Sequence, residues 1–95
     1  MVVGICQLDI RIYGNDSLKR KRQILKQIID RTKNKFNVSI AEVGDHDLLQ
    51  RAKIGFSVVG NDKRQVNSRI DKIKNLIEGL NTAEVLDSEW EIIHY

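Results

Sequence analysis

The 95-residue chain has no proline, a single cysteine and only 5% aromatic residues. With no second cysteine, Cys6 cannot close an internal disulfide, so packing must hold the fold and a reducing, cytoplasmic setting is expected. No apolar run approaches the roughly 18 residues of a membrane span. The opening Met1-Val2-Val3-Gly4-Ile5 lacks the basic region and cleavage site of a signal peptide, so none is expected. Net charge is small, with 16 Lys and Arg against 13 Asp and Glu. Hydrophobic residues at 41% supply a core and argue against a disordered chain. The length fits one domain, residues 1–95, without a linker.

What is present is a clear alternation of periods. From Val2 to Tyr13, one set of alternate positions holds Val2, Cys6, Leu8, Ile10 and Ile12, and the other holds Gln7, Asp9 and Arg11. That pattern predicts a long strand with one buried face. Gly14-Asn15-Asp16 breaks it, and Ser17 is placed to cap a helix running to about Lys33 on Leu18, Ile24, Leu25, Ile28 and Ile29. Phe36, Val38 and Ile40 predict a second strand, ended by Gly44-Asp45-His46-Asp47. The third strand places Ala52, Ile54, Phe56 and Val58 on one face. Asn61 or Asp62 caps a second helix with the stripe Val66, Ile70, Ile73, Ile77 and Leu80, and Gly79 is expected to stop it. A last strand over about Glu84 to His94 sets Leu86, Trp90 and Ile92 against Asp87, Glu89 and Glu91.

The order is β-α-β-β-α-β, and Gly-Asn-Asp recurs between strand and helix at 14–16 and 60–62, as in two similar halves. Two helices on one side of a four-stranded sheet cover every apolar stripe. Right-handed, interleaved crossovers then give an α+β ferredoxin-like sandwich with antiparallel strand order 4-1-3-2. Leu8, Ile10, Ile28, Phe56, Ile70, Ile73 and Trp90 are the expected core.

The strongest chemical signal is Lys19-Arg20-Lys21-Arg22 at the start of the first helix, where the macrodipole favours acids. Asp16 to Lys35 carries eight bases and two acids. Cations beside free helix N–H groups suit phosphate, so Lys19, Arg20, Lys21, Arg22 and Lys26 are the candidate polyanion site, with Lys19, Arg22 and Lys26 sharing one side. The alternative is a solvated face balanced by Asp45 and Asp47.

Other readings are weaker. Lys53-Ile54-Gly55-Phe56-Ser57-Val58 resembles an RNA-recognition-motif strand, but its phase turns Phe56 toward the helices and leaves no ring on the open face. Asp45-His46-Asp47 lacks a second ligand at metal spacing, so no metal or cofactor is expected. Cys6 reads as a small buried hydrophobe, and Glu42, Gln50 and Arg51 as polar residues flanking a hairpin. With no acid-base pair or nucleophile, the expectation is a non-enzymatic module. The open sheet face also carries Val3, Ile5, Ala41, Val43, Val59, Val85 and Ile93. This excess of apolar surface predicts a partner, with Val3, Ile5, Val59 and Ile93 as contacts of a homodimer.

Several separated blocks, Ser17-Leu18-Lys19 with Lys21-Arg22, Phe36-Asn37-Val38-Ser39, Ala41-Glu42-Val43, Asp47-Leu48, Gln50-Arg51-Ala52, Gly55 and Asn61-Asp62, resemble the YlxP-like family of small bacterial proteins. The resemblance spans nearly the whole chain and implies a ferredoxin-like fold. Members of that family are often encoded among translation and ribosome-maturation genes, which implies a cytoplasmic role near RNA or ribosomes. This chain has Arg20 where the family commonly has Glu, and Leu49 where Trp is frequent, so its first helix is more basic than typical. The expected function is a binding module contacting RNA or another polyanion through the first helix. The alternative is a homo-oligomeric protein-interaction module that uses the open sheet face.

Overall fold

The computed structural model describes residues 1–95. Its elements are β1 (Val2–Arg11), α1 (Leu18–Lys35), β2 (Ser39–Gly44), β3 (Arg51–Gly60), α2 (Lys63–Gly79) and β4 (Glu84–His94). The antiparallel sheet runs β2-β3-β1-β4, the 4-1-3-2 order of a ferredoxin-like sandwich. Both helices cover one face.

Alternation in β1 sets this arrangement. Cys6 lies opposite Phe56, Leu8 opposite Ile54 and Ile10 opposite Ala52, so one phase of both central strands points at the helices. All six are buried, as are Leu25 and Ile28 of α1 and Val66, Ile70, Ile73 and Ile77 of α2. Phe56 therefore belongs to the core and leaves the open face without a stacking ring there.

The helices begin where capping chemistry puts them. Ser17 Oγ accepts from the Arg20 N–H at 3.0 Å, and Asp62 Oδ1 accepts from the Arg64 N–H at 2.8 Å. A small residue sets the spacing of α2 from the sheet. A Cβ on Gly4 would stand 2.6 Å from Val66 Cγ1 and 2.7 Å from Ile70 Cδ1.

Four local expectations are corrected. The strand after α1 begins at Ser39 rather than Phe36, because Phe36 ends the helix, its N–H donating to the Thr32 carbonyl at 2.8 Å. The left-handed residue after α2 is Asn81, at φ 59°, and Gly79 is the helix's last residue. In β4 the register slips between the partners of Asp9 and Ile10, so Asp87 faces Asp9 but Val85 faces Ile10. That bulge turns Val85 from the open face toward the core, where it packs half-buried, and leaves Leu86 exposed. Trp90 keeps its expected phase, opposite Cys6, yet is 55% exposed. It sits on an edge strand, beside the flank of α2 rather than beneath it.

Candidate polyanion interface

Folding sorts the charges by layer. The two helices hold thirteen Lys and Arg against three acids, while strands and loops hold three bases against ten acids. The small net charge of +3 thus hides a helix layer at +10 and a remainder at −7. The amphipathic pattern explains why. Each helix must turn its aliphatic stripe inward, so most other positions face water on the side away from the sheet, Lys21 and Thr32 of α1 excepted.

The candidate residues do not act as one group. Lys19, Arg20, Arg22 and Lys26 are exposed, whereas Lys21 is only 1% exposed and is removed from the phosphate site. Its position falls on the inward stripe with Leu25 and Ile28. The ammonium donates to the carbonyls of Asp45 at 2.7 Å and His46 at 3.4 Å and lies 3.2 Å from Glu42 Oε2. Lys21 is a structural cation that holds the β2–β3 loop. Lys26 remains exposed but is paired with Asp30 at 2.6 Å, one turn along the helix. Arg20 leans toward a groove that it lines with Tyr13, Gln23, Gln27, Glu78 and Thr82. Lys19 and Arg22, with Lys33 farther along, form the open row.

The loop before α1 is fixed to the loop before β3. Asn15, 1% exposed, donates from Nδ2 to the carbonyls of Ser17 at 2.9 Å and Leu49 at 2.6 Å, and Gln50 Nε2 donates to the Asn15 carbonyl at 3.3 Å. Glu42, Gln50 and Arg51 consequently reach three separate partners: Lys21, Asn15 and Asp9, the last at 2.6 Å from Arg51 Nη2. His46 Nε2 approaches Glu42 Oε1 only to 3.9 Å.

A second basic region escapes sequence reading. At the far end of the helix layer, Phe36, Arg64, Gln65, Ser68, Arg69 and Lys72 line a depression between the end of α1 and the start of α2. Lys33 and Lys35 lie beside it, with Lys35 Nζ 5.9 Å from the Phe36 ring centroid. Arg64, Arg69 and Lys72 share one side of α2 by helical spacing, and the antiparallel approach of the helices brings Phe36, Lys33 and Lys35 beside them. Cys6 lies beneath the helices, buried in the core and away from solvent. Burial pushes its thiol up to about 11, Lys74 opposing and Asp71 adding to the shift, so it is protonated at neutral pH.

Comparison with known proteins agrees with the fold and the sequence blocks. The family described as a protein of unknown function, DUF503, matches residues 3–90. The chain belongs to the DUF503 family. It is similar to the uncharacterised protein YlxP of Bacillus subtilis strain 168, 34% identical over 91 residues that cover 94% of this chain and 99% of that one. Among solved structures it is similar to a de novo designed protein, at 14% identity and TM-score 0.56 with 100% and 99% of the two chains covered. It is also similar to a dimeric ferredoxin-like protein from an uncultured marine organism, at 8% identity and TM-score 0.52 with 100% and 98% covered. These structures share with this DUF503 member a fold. No helix of the chain is long and apolar enough to cross a membrane.

Proposed function

We propose that this protein is a non-enzymatic module that receives the phosphate backbone of RNA, in the setting of translation or ribosome maturation, on its helix layer. The observation that carries the reading is the segregation of charge: of the thirteen bases on the two helices, all but the buried Lys21 are open to solvent, twelve on one layer. Such a surface attracts phosphates without reading bases, and its affinity falls as salt rises. The acidic open sheet face, with Asp87, Glu89 and Glu91 along β4, repels the same ligand and so orients it. The test is RNA binding across a salt series with Lys19, Arg22 and Lys26 changed together to Gln. A folded triple variant should bind weaker, with its log–log salt slope flatter by about 2 to 3, the value for roughly three lost phosphate contacts. An unchanged slope would remove the reading.

A second reading, self-association through the open face, is favoured by one specific feature. Val59, Val3 and Ile93 form a continuous apolar row across β3, β1 and β4, with Ile5 in the next row. A two-fold axis along β1 would set Ile93 of one copy over Val59 of the other, Asp87 over Lys53, and Glu84 over Arg51. That axis also sets Asp9 over its own copy, where the Arg51 of each chain, 2.6 Å from the carboxylate, offsets the charge. An axis across the strands would oppose the β4 carboxylates, so the first orientation is the more complementary.

A further inference from the structure

We propose that Trp90 is a stacking platform for an unpaired base of single-stranded RNA, a reading that rests on the helix layer's holding the phosphate backbone. Trp90 is the only tryptophan of the chain, and more than half of it, 55%, is open to solvent. It projects from β4 on the helix side, where Lys74 Nζ stands 5.0 Å from its ring centroid. Beside it is a cleft lined by Asp62, Lys63, Arg64, Asn67, Glu91 and Ile92.

This combination fits a nucleotide better than a protein side chain. An aromatic plane offers the π-face on which any unstacked base can settle, and nearby cations hold the backbone. Lys63, Arg64 and Lys74 supply the cations, and the Asn67 amide can both donate to and accept from a base edge. Of the two carboxylates, Asp62 is engaged as the cap of α2, accepting from Arg64 N, and Glu91 belongs to the open-face phase of β4. Ile92 is the only aliphatic residue in the lining, too little for an apolar anchor site. Arg64 borders this cleft and also the Phe36 depression between the helices, so a basic path joins Trp90 to the helix layer. The ligand must be single-stranded, since duplex bases are already stacked on one another.

The only tryptophan is its own reporter. A short oligouridylate should quench Trp90 fluorescence, and Trp90→Ala should weaken its binding about tenfold or more while Trp90→Phe retains most of it. Inorganic polyphosphate, which has charge but no base, should bind wild type and Trp90→Ala equally. Equal oligouridylate affinity for wild type and Trp90→Ala would overturn stacking and leave the polyanion reading intact. An equal loss for both ligands in Trp90→Ala would also overturn it, since the loss would not involve a base. Failure of wild type to bind either ligand at low salt would overturn the polyanion reading, and this one with it.

Discussion

Lys21 of α1 and Glu42 of β2 form an ion pair of 3.2 Å at the point where the first helical turn meets the β2–β3 loop. Two of the ammonium's three hydrogens go to the carbonyls of Asp45 and His46, and Glu42 Oε2 has no hydrogen-bond partner, so the carboxylate acts through charge. The pair also bears on Asp45, whose φ of 59° lies in the left-handed region that non-glycine residues rarely occupy. Lys21 stabilises that turn from inside the protein.

Lys21→Met, which keeps the apolar stem and deletes the charge, should therefore destabilise the fold by about 2 kcal/mol. That is less than a fully buried pair loses, because Glu42 keeps 22% of its side-chain surface and can be rehydrated. Glu42→Gln should cost less, and a double-mutant cycle by urea unfolding should show coupling. Lys19→Gln, on the open row, should leave the unfolding midpoint in place and lower RNA affinity.

Gly4→Ala tests the closeness of helix to sheet. The new methyl would meet Val66 and Ile70 at 2.6 and 2.7 Å, and the β-branched Val66 has little rotamer freedom within a helix. Displacement of α2 should cost about 1 to 3 kcal/mol in urea unfolding. A neutral result would show that α2 can shift freely.

These two positions also show what the sequence reveals. The burial of Leu8, Ile28, Phe56 and Ile73 follows from periodicity, because period 2 and period 3.6 each select one face. The caps follow from the acceptors on Ser17 and Asp62, and the strand order from right-handed crossovers. Lys21 is legible in part. Its place near the Leu18–Leu25 stripe marks it as inward, but the carbonyls that accept its hydrogens belong to a loop some two dozen residues away. Alternation misplaces Val85 because a bulge inverts the phase without altering composition, and it misplaces Trp90 because phase tells which side a residue faces and not how far the covering helix extends. The basic depression near Phe36 needs two helix ends brought together, which no linear pattern encodes.

Cys6 gives a pH dependence of fixed sign. Burial raises its thiol from 9.0 to about 11, so the native state favours the neutral thiol more strongly than the unfolded chain does. Its contribution is complete below about pH 9 and is lost as pH rises toward 11. Stability should fall across that window by on the order of 2 to 3 kcal/mol relative to Cys6→Ala, followed by urea unfolding at each pH. A thiol reagent at neutral pH should label the folded protein slowly and the unfolded chain fast.

The self-complementary open face makes a prediction about charge reversal. If two copies stack with β4 over β3, Lys53 of each meets Asp87 of the other, so Lys53→Glu and Asp87→Lys each place like charges in contact twice per dimer. Either variant alone should dimerise about tenfold more weakly than wild type, equivalent to about 1.4 kcal/mol. Mixed in equal amounts, the two should recover wild-type association, because the new carboxylate of one then meets the new ammonium of the other while Asp87 of the first still meets Lys53 of the second. Within the chain both residues flank Asp9, itself held by Arg51 at 2.6 Å, so circular dichroism of each variant checks that the sheet is intact. Sedimentation that shows a wild-type monomer at high micromolar concentration, or variants that dimerise unchanged, would dismiss this interface and leave the helix layer as the protein's only proposed binding surface.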